Sequence, residues 1–398
     1  MAIEIRGMRE DELDLVLDFF NRGSSAPREY YQAIWKHAPG ARPEHSRVVF
    51  DDGTPVAHQR LHVRELRLGR TAVLMGGVGD VGTHPDHRRR GYGRMLLEDG
   101  YEYLRERGCD LVIIFSGVHH FYCSCGYEKC PSVTYSVRTD DTVYSRTSGH
   151  RVRWFEPEGD LEAVSAVYDA YNAQRPLSIV RGVDYWRRHR LWSRKDRPEG
   201  FLVCELGERG GQLAAYIRGG VGDVVELGRL PGERGLSALQ ECFEAVMRLA
   251  AGRKVETVSV VCPSNEPLLA EVRGKFRVSE ETRERTLVRF VDLPQLLGKL
   301  SGELTERLRT AGISPTTKLA FSVAAHEATL EISGGRVSAV PGLVAGATEL
   351  RLSGREMLMM LAGAELPRGA ATCGRGAADI LAALFGPAGP VYWPIDIV

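Results

Sequence analysis

The stretch from Thr71 to Gly108 constrains the fold of this chain more strongly than any other. It begins with an apolar run typical of a β-strand, turns at residues 84–86 and continues through a basic loop with two glycines. Helical spacing follows, because apolar residues then recur at steps of three and four. The residues of this stripe are Leu96, Leu97, Tyr101 and Leu104. The pattern predicts a strand, a basic loop and a helix in immediate succession.

A strand, a glycine loop and a helix N-terminus together suit the binding of a phosphate group. The first backbone N–H groups of a helix lack partners within it, and the helix dipole adds partial positive charge there. Glycines let a ligand approach the backbone closely, and arginines offer fork-shaped donors that match a pyrophosphate. The loop residues predicted to bind such a group are Arg88, Arg89, Arg90, Gly91, Tyr92, Gly93 and Arg94.

The spacing of this loop separates it from two common nucleotide-binding motifs. It is neither the Gly-x-x-x-x-Gly-Lys-Ser/Thr of P-loop proteins nor the Gly-x-Gly-x-x-Gly of dinucleotide-binding folds. For an isolated Gly-x-Gly, the alternative interpretation is a tight turn with a solvated basic edge. Here Arg88-x-x-Gly91-x-Gly93 follows a strand, and in that setting it resembles the acetyl-coenzyme A signature of the GNAT acyltransferases.

Length and composition argue against several classes of protein. The 398 residues exceed one ordinary core and predict two or three domains. With 52 basic and 52 acidic residues the formal net charge is zero, so no global field favours nucleic acid or an anionic membrane as a partner. The first twenty residues are rich in charge, unlike a signal peptide. No apolar run reaches the roughly 20 residues that a membrane-spanning helix needs.

The cysteines predict a cytoplasmic protein with reduced thiols, because all eight are scattered and no export signal accompanies them. One cluster has the residue types of a zinc site: His119, His120, Cys123, Cys125 and Cys130. Its Cys-x-Cys spacing is tighter than the usual zinc spacing, and no second pair follows at finger distance. We therefore expect small apolar cysteines and no metal, with a zinc site or a redox pair as the alternatives.

The order of the predicted elements indicates three domains. Residues 1–150 give a strand, two helices, three strands, a helix, a strand, a helix and closing strands, which is the GNAT order. Residues 151–287 repeat that order, but their loop keeps a single Arg-Gly, so we expect a GNAT-like scaffold without acetyl-coenzyme A. Residues 288–398 change pattern again, to a helix, several strands and two late helices.

Over nearly its whole length this arrangement resembles the Eis-like ("enhanced intracellular survival") acetyltransferases of bacteria. The resemblance implies a mixed α+β fold with two tandem GNAT-like domains, of which the second is degenerate. It implies that residues 288–398 form a sterol-carrier-like α+β domain that delivers the C-terminus. It also implies a homo-oligomer, hexameric in the family.

The resemblance further implies where the cofactor lies. In the GNAT fold, strands four and five splay apart, and the pantetheine arm pairs with the freed N–H groups of strand four as an added strand would. In this sequence those groups belong to Val81, Gly82 and Thr83.

The same resemblance implies the catalytic residues. Tyr122, just after strand five, matches the tyrosine that protonates the leaving thiolate in the family. The base in the family is the carboxylate of the final residue, here Val398. Asp80 and His120 are the rival candidates for the base.

These expectations combine into an acetyl-coenzyme A-dependent N-acetyltransferase that works by direct transfer in a ternary complex. The acceptor expected from the resemblance is a primary amine of a cationic small molecule, aminoglycoside- or polyamine-like, or a lysine. The alternative is a non-catalytic protein that binds or senses acyl-coenzyme A or a lipid.

Overall fold

The computed structural model describes residues 2–21, 27–139, 149–192, 198–207, 211–368 and 375–396. The chain forms two compact units. The first unit comprises residues 1–130 and 284–387, and the second comprises residues 131–283 and 388–397. The prediction of three domains at 1–150, 151–287 and 288–398 stays a prediction.

The N-terminal half of the first unit has the predicted order of strands and helices. Its elements are β1 (Ile3–Gly7), α1 (Leu13–Asn21), α2 (Arg28–His37), β2 (Ser46–Asp51), β3 (Thr54–Leu68), β4 (Thr71–Thr83), α3 (Tyr92–Glu106), β5 (Leu111–Phe115) and α4 (His119–Cys123). The stripe of α3 packs on β3 and is buried, as its spacing predicts. Strands β1 to β4 are antiparallel neighbours, and β5 lies parallel to β4.

The second unit repeats this order of elements. Strand β6 (Glu128–Arg138) leads into it from the first unit. Its repeated elements are β7 (Arg151–Trp154), α5 (Pro157–Asn172), α6 (Val183–Trp192), β8 (Leu202–Glu205), β9 (Leu213–Gly219), β10 (Asp223–Arg229), α7 (Glu233–Gly252), β11 (Thr257–Val260) and α8 (Leu268–Lys275). Strand β12 (Val278–Phe290) then leads back into the first unit. Strand β10 pairs in parallel with β11, as β4 does with β5. The repeat expected from the sequence is therefore confirmed at the level of element order.

The last strand of each repeat does not close its own sheet, which the sequence analysis did not anticipate. We expected the strands from Tyr127 onward to close the first sheet. In the structure, β5 instead pairs with residues 286–290 of β12, from Phe115↔Thr286 to Leu111↔Phe290. Residues 135–138 of β6 pair with β11 in the second unit. The two repeats have thus exchanged their final strands.

The rest of the first unit has a sheet of its own. Its elements are α9 (Leu293–Ala311), β13 (Thr317–Val323), β14 (His326–Ser333), β15 (Arg336–Pro341), β16 (Thr348–Leu352), α10 (Gly354–Leu361) and α11 (Arg375–Phe385). The sheet order is β15-β14-β13-β16. Helix α9 is tied to the N-terminal sheet by Asp110, a fully buried carboxylate that accepts bonds from Lys299 Nζ at 2.7 and 2.8 Å and from the Leu74 N–H at 2.8 Å.

The C-terminal tail packs into the second unit. The Trp393 side chain is fully buried, and its indole N–H donates to Asn172 of α5 at 3.1 Å. Residues 394–396 form a short 3₁₀ turn against β10. The tail therefore packs rather than frays as far as residue 396, as its apolar residues predict, whereas Val398 lies outside the described residues.

Two further findings concern the described part of the chain. None of its helices is both long and apolar enough to cross a membrane. At the start of α7 in the second unit, two backbone segments pass closely, because a Cβ atom on Gly235 would lie 1.9 Å from the carbonyl oxygen of Leu230.

Candidate active site

A gap opens between β4 and β5, where the sequence analysis expected the strands to splay. Their parallel pairing ends at Val78↔Ile114. Strand β4 continues for residues 79–83, whereas β5 ends at Phe115. On its other side β4 stays paired with β3 up to Ala57↔Thr83. Within the described part of the chain, the backbone groups of β4 that face away from β3 therefore have no strand partner beyond Val78.

A β-bulge at Asp80 shapes this part of β4. Asp80 has a positive φ of 51°, and the register with β3 shifts between His58 and Arg60. Arg60 Nε donates to Asp80 Oδ2 at 2.6 Å, and His58 Nδ1 lies 3.3 Å from the Asp80 carbonyl oxygen. The other ring nitrogen of His58 lies 2.9 Å from the Ser46 hydroxyl. Residues of β3 thus contact both the side chain and the carbonyl group of Asp80.

Because of His58, the stability of this part of the fold is expected to depend on pH. Burial lowers the pKa of His58 to about 4, although nearby Asp80 acts in the opposite direction. In the unfolded chain its pKa returns to roughly 6.5, so below that pH the unfolded state binds a proton that the folded state does not. We expect stability to be lost as the pH falls from about 6.5 to about 4, by about 3 kcal/mol from this residue.

The measurement for His58 is the opening free energy of β3 and β4 amides by native-state hydrogen exchange between pH 7 and 4. His58→Gln should flatten the pH dependence, whereas His120→Gln, at an exposed position, should leave it unchanged. Equal slopes for the wild type and His58→Gln would show that His58 does not carry the effect.

The basic loop and the start of α3 form the mouth of the gap. Gly91 precedes α3 with a left-handed φ of 86°, a conformation that costs a residue with a Cβ atom more than it costs glycine. A Cβ atom at Gly91 would meet nothing within 4 Å, whereas one at Gly93 would lie 3.0 Å from Cζ of Phe121. The side chains of Arg88, Arg89 and Arg90 are exposed around this loop. The loop is therefore open towards solvent and carries concentrated positive charge.

Two of the predicted loop residues are engaged in structural contacts. The Tyr92 hydroxyl is buried and donates to Asp51 Oδ2 at 2.8 Å. Arg94 donates to the carbonyl oxygen and hydroxyl of Ser124, at 2.9 and 3.1 Å. Tyr92 thus links α3 to β2, and Arg94 links α3 to the end of α4.

A cavity of about 650 Å³ lies at the gap and brings several predicted residues together. The predicted residues among its lining are Val81, Gly82, Thr83, Arg88, Gly93 and Tyr122. Arg89, Arg90, Gly91, Tyr92 and Arg94 belong to the adjoining loop and helix but do not line the cavity. Of the two rival bases, Asp80 lines the cavity, whereas His120 is exposed and does not.

Tyr122 presents a neutral phenol to this cavity. Its side chain is only 8% exposed, and burial raises its pKa, with a hydrogen bond to Ser116 opposing part of that effect. Its ring meets those of Phe121 and Tyr127 edge-on, with centroids 5.2 and 6.3 Å away. A raised pKa keeps the hydroxyl protonated at neutral pH, which is the state that a proton donor needs.

The histidine and cysteine cluster does not assemble into a ligand set. Within the described ranges, no group of three His, Cys, Asp or Glu side chains is placed to hold a metal ion. Cys125 and Cys130 are buried free thiols, Cys123 is exposed, and burial raises the pKa of Cys130 to about 12.

The aromatic wall of the cavity was missed by the sequence analysis. It includes Phe19 from α1 and Tyr31 from α2, together with Val118 and Phe121. The one signal in the sequence concerns the first helix, where helical spacing puts Leu13, Val16, Leu17 and Phe20 on one apolar face and leaves Phe19 off it. A large aromatic side chain just outside the buried stripe of a helix indicates that this part of the helix also faces a second surface, such as a cavity.

The comparisons with known proteins agree with this geometry. Residues 4–130 match the family model described as an acetyltransferase (GNAT) domain. The chain is therefore an acetyltransferase, with its GNAT domain in the part that contains the gap, the basic loop and Tyr122. No curated protein gives a significant match.

Several solved structures are similar over the whole length. A GCN5-related N-acetyltransferase from Anabaena variabilis is 14% identical with a TM-score of 0.71, covering 98% of both chains. One from Kribbella flavida is 19% identical with a TM-score of 0.69, covering 98% of this chain and 97% of that one. Eis1 from Mycobacterium abscessus is 16% identical with a TM-score of 0.63, covering 98% and 99%. At these identities the similarity establishes the fold alone.

Proposed function

We propose that this chain transfers the acetyl group of acetyl-coenzyme A to a primary amine within a ternary complex. The observation that carries the proposal is one cavity lined by the open edge of β4, by Arg88 of the basic loop and by the buried Tyr122. These groups meet three requirements of the reaction: backbone groups that bind the pantetheine arm of acetyl-coenzyme A, a site for its phosphates and a proton donor.

The donor is held by the gap and the loop. The N–H groups of Val81 to Thr83 pair with the pantetheine arm, because β5 leaves that edge of β4 open. The N-terminus of α3 and the exposed arginines face the pyrophosphate, whose charge they complement. Gly91 fits this role, because its missing Cβ leaves the loop open on that side.

The transfer needs one acid and one base. The amine nitrogen attacks the thioester carbonyl as its free base, the C–S bond breaks, and the thiolate takes the proton of the Tyr122 hydroxyl. The proton that the acylated nitrogen then loses restores the Tyr122 hydroxyl. The proton of the ammonium passes to a carboxylate, which the Eis-like resemblance assigns to the end of Val398. Asp80 is a weaker candidate because its carboxylate already accepts from Arg60.

The Eis-like resemblance also supplies the roles of the remaining regions. Residues 151–287 act as a degenerate GNAT-like scaffold, whose loop lacks the Arg-x-x-Gly-x-Gly spacing. Residues 288–398 act as a sterol-carrier-like domain that delivers the C-terminus, and the assembly is a homo-oligomer. By the same resemblance the acceptor is an aminoglycoside- or polyamine-like amine or a lysine.

Release of free thiol from acetyl-coenzyme A in the presence of a panel of amines tests the proposed function. The result expected is amine-dependent thiol release with the mass of the amine raised by one acetyl group. Bound coenzyme A without turnover of any amine would instead favour the alternative, a protein that binds or senses acyl-coenzyme A. A lipid extracted from the purified protein would favour the lipid-binding form of that alternative.

Arg88→Ala tests the phosphate site. We expect the KM for acetyl-coenzyme A to rise about tenfold with little change in kcat, because a charge-assisted contact to phosphate stabilises substrate and transition state alike. The matched control is Arg105→Ala, an exposed arginine near the other end of α3 that pairs with Glu102. An unchanged KM in Arg88→Ala, measured by thiol release, would contradict its place in the site.

A further inference from the structure

We infer that the amine acceptor carries a single reactive amine on an aromatic or aliphatic body, and that polycations are poor substrates. This inference rests on the proposed function and names the substrate class of the same site. It departs from the cationic acceptor that the Eis-like resemblance implies, because the wall of the cavity has the wrong chemistry for one.

The wall opposite the gap is built from large apolar side chains. Phe19 reaches the cavity from α1 and Tyr31 from α2, and Phe121 and Tyr122 reach it from α4. Phe19 stands directly over β4, since a Cβ atom at Gly82 would lie 3.9 Å from its ring. These four rings, called the aromatic slot below, are stabilised when an apolar surface covers them.

The charge in the cavity does not complement a polycation. Among the described residues that line it, Asp80 is the one acid, and its Oδ2 already accepts from the buried Arg60 guanidinium at 2.6 Å. The other charged side chain of the lining is Arg88, which is positive and is assigned above to the phosphates of the coenzyme. Each further ammonium group of a polyamine would therefore lose water without gaining a carboxylate.

The same aromatic side chains favour the reactive, uncharged form of a monoamine. Only the free base attacks a thioester, and burial against apolar groups lowers the pKa of an ammonium ion because it penalises the charged form. The aromatic slot thus raises the share of reactive amine at neutral pH. A second or third ammonium on the acceptor would gain nothing from this effect and would carry its desolvation cost.

A comparison of kcat/KM values tests the inference. The amines are 2-phenylethylamine and hexylamine on one side and the polycation spermidine on the other, measured by thiol release at one pH and ionic strength. We expect the two apolar amines to exceed spermidine by tenfold or more. A higher kcat/KM for spermidine would overturn the inference and leave the proposed function standing, whereas turnover of no amine would count against the proposed function itself.

Substitutions on α1 sharpen the test. Phe19→Glu places a carboxylate in the aromatic wall, and we expect it to lower kcat/KM for hexylamine and raise that for spermidine, shifting their ratio by tenfold or more. The matched control is Leu15→Glu, on the same helix at a 45% exposed position that does not line the cavity, which should leave the ratio unchanged. A ratio that is the same in Phe19→Glu and the wild type would overturn the assignment of this wall to the acceptor.

Discussion

Replacing Tyr122 by Phe is expected to lower kcat by about 10²-fold, because general acid catalysis typically contributes 10²- to 10⁴-fold. The substitution removes one hydroxyl from a ring that is 8% exposed and leaves the ring in place, so the cavity keeps its shape. The KM for acetyl-coenzyme A should change little, since the carrier is held by β4 and the basic loop. The measurement is steady-state thiol release, with coenzyme A binding followed separately by calorimetry.

Tyr127→Phe is the matched control for Tyr122→Phe. Tyr127 packs in the same core cluster, and its ring lies 6.3 Å from that of Tyr122. Its hydroxyl is buried and has no hydrogen-bond partner among the residues that the structure describes, so its removal should not weaken the fold. We expect Tyr127→Phe to keep the wild-type kcat. If both variants lost activity equally, the loss would reflect packing and not a proton donor at Tyr122.

The pH profile separates a proton donor from a residue that only positions the substrate. Because burial raises the pKa of Tyr122, wild-type kcat should stay level through neutral pH and fall only where the phenol ionises. In Tyr122→Phe, kcat should be low at every pH, and its decrease at alkaline pH should be absent. An alkaline limb that persists unchanged in the variant would assign that ionisation to another group.

The parts of this structure that follow from local sequence were predictable. The stripe of α3 repeats within one helix, and the basic loop lies next to the strand that precedes it, so both can be recognised within 40 residues. The same holds for β13 to β16, whose apolar alternation is contained in each strand. In these cases the pattern and its structural partner are neighbours in the chain.

The parts that depend on distant pairing were not predictable. Residues 286–290 close the sheet at β5, about 170 residues after it in the sequence. Their apolar pattern fits either repeat, and nothing local says which sheet they join. The aromatic wall has the same origin, because Phe19 and Phe121 line one cavity but are about 100 residues apart in the sequence.

The largest effect on stability is expected where the C-terminal tail enters the second unit. Arg181 contacts two carboxylates there: its Nη2 lies 2.7 Å from Asp396 Oδ2 and 2.5 Å from Glu226 Oε2, and its Nε donates to Asp396 Oδ1 at 3.0 Å. All three side chains are fully buried. Burial alone would lower the pKa of Arg181, but Asp396 and Glu226 outweigh it and raise that pKa.

Asp396→Asn is expected to destabilise the second unit by about 3–5 kcal/mol, the usual cost of removing one partner of a buried ion pair. The substitution keeps the size of the side chain but leaves the charge of Arg181 only partly compensated by Glu226. Because a chain of two units does not unfold in one step, the suitable measurement is the opening free energy of amides in β9 and β10 by native-state hydrogen exchange.

Arg309→Met is the control for Asp396→Asn. It removes an exposed ion pair with Glu306, on α9 of the first unit, and should change stability by less than about 0.5 kcal/mol. A loss in Asp396→Asn no larger than in this control would mean that water reaches the tail and screens its charges. If the expected loss is found, the tail is a buried part of the second unit's core, and its last described residues are fixed by the Arg181 contacts.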